Sequence, residues 1–115
     1  MKEPTRQDLF NTAYAGLKAQ GFKQSLGSRG HCQYRGEDGC KCAVGHLIPD
    51  ERYNPSFEGN GVTYTPISSA AGVEEVGGIL FLREMQVAHD HGELPLVMEA
   101  KLRALAEKHG LTVPA

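Results

Sequence analysis

Helical and extended sequence patterns occupy separate parts of this chain, and their segregation restricts the fold classes open to it. Helix-like patterns lie towards both ends, and short alternating runs surround a glycine-rich turn between residues 31 and 50. A parallel α/β fold would need the two patterns to alternate as strand–helix–strand units. The sequence therefore predicts an α+β fold in a single domain over residues 1–115, a length sufficient for one hydrophobic core.

The N-terminal segment predicts a helix from about Thr5 to Gln20. Thr5 and Asp8 match the Ser/Thr-x-x-acid capping pattern, which satisfies free backbone amides where a helix begins. Gly21 supplies the left-handed residue that ends many helices. Between these signals, one face repeats apolar residues at helical spacing: Leu9, Phe10, Ala13, Tyr14 and Leu17.

The C-terminal half predicts two further helices. The run from Ile79 to Gly92 has helical length and good helix formers. When successive residues are turned by about 100°, His89 falls on the apolar face of this helix. Pro95 suits the first turn of the last helix, and Gly110 is its expected end.

The segment between these helices carries the strand predictions. Two short runs at residues 32–35 and 40–48 flank the tetrad GEDG, which is the pattern of a β-hairpin. In an extended second run, alternate residues from Cys42 to Ile48 would share one face. AVGHLI alternatively turns into a short helix before Pro49.

Proline and glycine punctuate residues 49–72, which predicts a long irregular loop with VTYTPI as an edge strand. Such a long loop is typical of either a functional flap or a mobile segment. The expected architecture is thus an N-terminal helix, a small antiparallel hairpin or sheet, this loop, and two C-terminal helices packed on the sheet.

A zinc site is the strongest hypothesis for bound chemistry. All three cysteines and two of the five histidines lie between residues 31 and 50, and thiolates and imidazoles bind Zn²⁺ tetrahedrally. The spacing lacks the C-x-x-C pair of common zinc motifs, so the fold must supply a distant ligand. The preferred set is Cys32, Cys42, His46 and His89. Alternatively, the cysteines are small core residues and His89 is a hydrogen-bonded core histidine.

Other polar groups offer weaker hypotheses. A nucleophilic Cys42 or Cys32 would use His46 or His89 as its base, but no oxyanion-hole or cysteine-protease motif accompanies them. We therefore assign no catalytic residue. Ligand-binding candidates are Arg29 in a glycine-bearing loop able to hold a phosphate, Arg35 and Lys41 beside the hairpin turn, and Asp90. The alternative for each is an ordinary solvated surface position.

Composition limits the classes of partner. A net charge of −2 argues against charge-driven binding to nucleic acid. The charged N-terminus and the lack of a long apolar window predict a cytoplasmic protein with no membrane partner. In that reducing compartment, free thiols or metal ligands are expected in place of disulfides. Leu80 and Val87, on a second side of the central helix, leave room for a homodimer face.

The run CQYRGEDGCKCAVGHLIPDERY, with the later LREMQVAHD and LRALAEKHGLTVP, resembles a group of small proteins encoded by bacteriophages, prophages and bacteria. The most specific part is YRG, a glycine turn, then KCAVGHLIPDE and a tyrosine. This resemblance implies a phage or prophage accessory product in the cytoplasm of a bacterial host. The shared pattern includes Cys32, Cys42, residues 45–50, His89 and Asp90 but not Cys40, and it therefore favours Cys32 and Cys42 over Cys40 in any shared site.

A non-enzymatic binding protein is the function that these features favour. Small size, charge segregated into an acidic middle at residues 50–100 and basic ends, the lack of a catalytic constellation and the phage resemblance predict a protein that engages a host protein, such as a defence or regulatory factor. A structural zinc ion would be its cofactor. The alternative is a small Cys/His enzyme or a nucleotide-ligand-binding protein that uses residues 27–46.

Overall fold

The computed structural model describes residues 3–114, which form four α-helices joined by loops and 3₁₀ turns. The helices are α1 (Arg6–Ala19), α2 (Thr65–Ala70), α3 (Val76–Asp90) and α4 (Pro95–Lys108). The 3₁₀ turns span Glu37–Gly39, Gly45–Leu47, Asp50–Arg52 and Pro55–Phe57. Within these described residues, every helix is too short or too polar to span a lipid bilayer.

The three predicted helices are confirmed, together with their end signals. At the start of α1, the Asp8 amide donates to the Thr5 hydroxyl and the Thr5 amide donates to the Asp8 carboxylate, both at 3.0 Å. Gly21 and Gly110 follow α1 and α4 with φ values of +72° and +67°, in the left-handed region that favours glycine. Each of these signals acts over a few residues, so local sequence was sufficient to place it.

The apolar faces of the helices meet in one core, to which the long loops also contribute. The largest fully buried side chains include Phe10, Tyr14, Leu17, Ile67, Phe81, Leu82, Met85, Met98 and Leu102. From the loop after α1, Cys42 and Val44 are also fully buried. The turn Gly45–Leu47 packs on α1, and α3 packs on both α1 and α4. Residues 42–48 are therefore part of the core and are not a strand layer above it.

The predicted α+β class is wrong, because residues 32–48 form no sheet. Within residues 3–114, pairing is limited to two isolated bridges, one between Leu26 and Cys32 and one between Arg35 and Lys41. After the second bridge the chain turns into the 3₁₀ helix Gly45–Leu47. The short helix that AVGHLI allowed is thus the form that occurs.

Glu58 shows why pairing does not extend along the first of the two predicted strands. Its carboxylate accepts hydrogen bonds from the backbone amides of Tyr34 at 2.9 Å and Arg35 at 3.1 Å. The hydroxyl of Tyr53 donates to the same carboxylate at 2.6 Å. A buried amide needs an acceptor, but that acceptor need not belong to another strand.

Two glutamines serve the second predicted strand in the same way. Gln20 Oε1 accepts from the Lys41 amide at 3.1 Å, and Gln86 Oε1 accepts from the Val44 amide at 3.2 Å. These side chains come from the end of α1 and from α3. Because helical side chains satisfy the amides, the segment stays irregular and is still fixed in place.

The expected irregular loop at residues 49–72 is also corrected. The segment holds two 3₁₀ turns and then α2, which has proline in its first turn. Pro66 therefore starts a helix and does not end an edge strand, since proline lacks the amide that the first turn of a helix leaves unbonded. In place of the predicted sheet, the two C-terminal helices pack on each other, and α3 also packs on α1.

Candidate functional site

A polar cluster at the C-terminal end of α3 contains Cys32, His89 and Asp90, with one ligand-type atom from each within 4.8 Å of the others. Asp90 Oδ1 lies 2.8 Å from His89 Nδ1 and accepts from Gln86 Nε2 at 3.0 Å. On the other side of the imidazole, the Ser25 amide donates to His89 Nε2 at 2.9 Å. We call these five residues the Asp90 network.

The amide of Ser25 fixes the tautomer of His89. A backbone amide only donates, so Nε2 accepts and the proton of the neutral ring is on Nδ1, where it is donated to Asp90. The residue is 0% exposed, which confirms the prediction that it lies on the buried face of its helix. Both ring nitrogens are therefore engaged inside the protein.

The cysteines near this network are not activated. Burial, with a smaller contribution from the neighbouring Asp90 carboxylate, raises the pKa of Cys32 to about 11. Burial likewise raises the pKa of Cys42 to about 12, although its sulfur accepts a hydrogen bond from the Gly45 amide at 3.3 Å. Both thiols are protonated at neutral pH, whereas nucleophilic attack and metal binding need the thiolate.

Only part of the predicted zinc set comes together. Cys32 approaches His89, and the third member of this group is Asp90, whereas Cys42 and His46 join no such group in the described part of the chain. Zinc on Nδ1 of His89 would move the ring proton to Nε2, where it would face the donor amide of Ser25. The zinc site stays a prediction that metal analysis of the purified protein can test.

His46 occupies a separate position, against α1, where it makes the stability of the fold depend on pH. A Cβ at Gly16 would collide with its ring, and Nε2 lies 2.9 Å from the Oε1 atom of Gln20. Burial lowers the pKa of His46 to about 4, and the charge of Lys41 contributes to the same shift. The ordinary histidine pKa of about 6.5 applies in the unfolded chain.

Between pH 6.5 and 4, the unfolded chain therefore binds more protons than the folded one, and stability falls as the pH falls. After allowance for partial exposure, we expect His46 to account for a loss of about 2 kcal/mol between pH 7 and 4. Urea unfolding across this range measures it. His46→Gln should flatten the slope, and an unchanged slope in that variant would contradict the assignment.

The four ligand-binding candidates differ in how far the fold engages them. Arg29 is exposed in its loop. Arg35 donates to the Asp50 carboxylate at 2.7 Å and lies over the Tyr53 ring, 4.6 Å from its centroid. Lys41 approaches the same carboxylate at 3.8 Å. These contacts stabilise the loop. Since Asp90 is also hydrogen-bonded, Arg29 is the only one of the four candidates that is fully open to solvent.

Two clefts lie on either side of an exposed ridge of α3 formed by Arg83 and Val87. The polar cleft has a volume of about 570 Å³ and is lined by Cys32, Asp90 and residues 59–63 as well as by the ridge. The second cleft, of about 590 Å³, runs between α3 and α4. We call it the α3–α4 groove. Its lining residues are Leu80, Arg83, Glu84, Val87, Ala88, Lys101, Ala104, Leu105 and Lys108.

An apolar stripe runs along the exposed face of α3 beside this groove. Val76, Leu80 and Val87 are 71%, 50% and 48% exposed. Their spacing of four and seven residues places them on one side of the helix. Sequence reasoning noted two of them as a second apolar side but missed the groove, because its other wall comes from α4.

Comparisons with protein-family models, with curated proteins and with solved structures give no match. The resemblance to phage-encoded proteins stays a prediction. The function is therefore inferred from the geometry of the clefts and of the Asp90 network.

Proposed function

We propose that this protein is a non-enzymatic protein-binding domain, and that its binding surface is the α3–α4 groove with the apolar stripe of α3. The observation that carries the proposal is the exposure of Val76, Leu80 and Val87 next to a groove that contains Ala88 and Leu105. Contiguous exposed apolar surface with a polar rim is typical of protein interaction sites. Exposure of such a surface to water costs free energy, which its burial against a partner would recover.

The state of the Asp90 network supports binding over catalysis. A general base needs a lone pair directed at its substrate, but the two nitrogens of His89 are bonded to Ser25 and Asp90. A nucleophilic cysteine needs a lowered pKa, and the pKa of Cys32 is raised. A binding function requires neither a free nitrogen lone pair on His89 nor an ionised Cys32.

The proposed partner is a protein of a bacterial host, in the context that the phage resemblance implies. A defence or regulatory factor is the class of host protein that a phage accessory product would engage. The groove is suited to such a role because protein partners commonly dock a helix between two helices of a receptor.

Site-specific photo-crosslinking in bacterial cells tests the surface. A benzophenone side chain in place of Leu80 should give a discrete adduct with one partner, whereas the same group in place of the exposed Glu51, outside the groove, should give about tenfold less. Added wild-type protein should compete with the adduct, and protein carrying Leu80→Asp and Val87→Asp should not. Equal adduct yields at the two positions, or competition by the double variant, would reject the proposed surface.

A further inference from the structure

The charges along the α3–α4 groove are mainly positive. Arg83, Lys101 and Lys108 line it, and within residues 3–114 Glu84 is the only carboxylate among its lining residues. Lys108 Nζ and His109 Nε2 already lie 2.7 Å and 3.0 Å from that carboxylate. Arg83 and Lys101, in contrast, form no ion pair with any residue in the range 3–114. The groove therefore offers two unpaired cations beside an apolar floor.

The two walls of the groove are antiparallel helices. Phe81, near the start of α3, packs edge-on against His109 with ring centroids 4.9 Å apart, while Gly92 lies against Met98 at the opposite end. Along α3, Leu80 and Val87 are separated by about two turns, or roughly 10 Å. This is the spacing at which a docked helix presents successive apolar residues at positions i, i+3 or i+4, and i+7.

Small side chains allow a close approach in the groove. Ala88 and Ala104 line it on opposite helices, so no large side chain projects from either position. Small residues at a helix contact let backbones come closer together and increase the packed area. The shape therefore suits a third helix lying along the seam of the first two.

We infer that the α3–α4 groove binds an acidic amphipathic helix of a partner protein. Its apolar side chains would pack between Leu80 and Leu105, and its carboxylates would pair with Arg83 and Lys101. The inference rests on the proposed function and adds the chemical class of the occupant. It does not depend on whether the partner is a defence or a regulatory factor.

Charge favours such a partner over a second copy of this chain. In a two-fold symmetric dimer the same patch meets itself, so the excess of cations would face like charges. The chain as a whole carries a net charge of −2, yet this groove is cationic. The groove therefore attracts an acidic ligand and repels the same groove on a second copy.

Two designed peptides test the inference directly. The first is a helix of about 18 residues with leucines at the i, i+4 and i+7 positions and flanking glutamates. The second is identical except that every glutamate is replaced by lysine. Fluorescence anisotropy with the full chain should show the acidic peptide binding at least about tenfold more tightly, and its affinity should fall as salt is added.

Charge reversal makes the result specific to the groove. Arg83→Glu combined with Lys101→Glu should reverse the preference, so that the basic peptide binds more tightly. The matched control, Lys18→Glu combined with Lys23→Glu, changes two exposed cations outside the groove and should keep the wild-type preference. Thermal unfolding of all variants checks that the fold is retained.

Several outcomes would overturn the inference. Equal affinity for the two peptides, or an unchanged preference in the Arg83 and Lys101 variant, would remove the acidic helix as the occupant. Sedimentation showing dimers that Leu80→Asp dissociates would favour a second copy instead. A partner crosslinked at position 80 in the absence of any peptide preference would leave the proposed function standing, whereas loss of both results would remove both proposals.

Discussion

Gly45→Ala is expected to destabilise the protein by about 3 kcal/mol. Gly45 is buried in the 3₁₀ turn that packs on α1, and a Cβ there would collide with the carbonyl oxygen of Tyr34. The same Cβ would lie 3.3 Å from the Cβ of Lys41. The first obstacle is backbone, which cannot rotate away as a flexible side chain can, so the turn and the segment around Tyr34 must separate.

Gly61→Ala is the matched control for this substitution. Gly61 is exposed, and a Cβ at that position would meet nothing within 4 Å. We expect its free energy of unfolding to change by no more than about 0.5 kcal/mol. Urea unfolding of the two variants under the same conditions measures the difference. Comparable stability in both would show that residues 34 and 45 are not in the close contact described.

Glu58→Gln is expected to have the second large effect, lowering the free energy of unfolding by about 2–4 kcal/mol. The carboxylate accepts from the amides of Tyr34 and Arg35 and from the Tyr53 hydroxyl. Glutamine has nearly the same shape, but its amide nitrogen donates and would face one of these donors. The variant therefore loses charge-assisted bonds and leaves a half-buried donor without an acceptor.

Glu51→Gln provides the control for charge removal alone. Glu51 is exposed in the turn Asp50–Arg52, and within residues 3–114 its side chain makes no hydrogen bond or ion pair with the rest of the protein. The free energy of unfolding of Glu51→Gln should stay within about 0.5 kcal/mol of the wild-type value. Hydrogen exchange at Tyr34 and Arg35 gives a local readout, since those amides should exchange faster only in the Glu58 variant. Unchanged exchange there would reject the role assigned to Glu58.

The Glu58→Gln substitution is expected to affect the two clefts differently. Residues 59–63, which follow it, line the polar cleft beside Cys32 and Asp90. The α3–α4 groove is built from two helices that do not contact Glu58 through these bonds. Peptide binding in the groove should therefore survive Glu58→Gln at temperatures where the variant remains folded.

By itself, the sequence determined the three longer helices and the burial of His89. Capping by Thr5 and Asp8, helix ends at Gly21 and Gly110, and an apolar stripe repeating every three or four residues all act within a few positions of the chain. Helical hydrogen bonds are equally local, joining residues four apart. For this reason, periodicity placed the helices well.

Only the tertiary structure decided the middle of the chain and the arrangement of the site. Backbone amides of the predicted hairpin donate to the side chains of Glu58, Gln20 and Gln86, which lie between 21 and 42 residues away in the sequence. His89 receives its hydrogen bond from Ser25, 64 residues earlier. A hairpin and an irregular loop both need acceptors for the same backbone amides. Which of the two forms depends on the acceptors that the packed helices bring near those amides. The α3–α4 groove arises in the same way, because each of its walls is an ordinary helix face until the two are packed together.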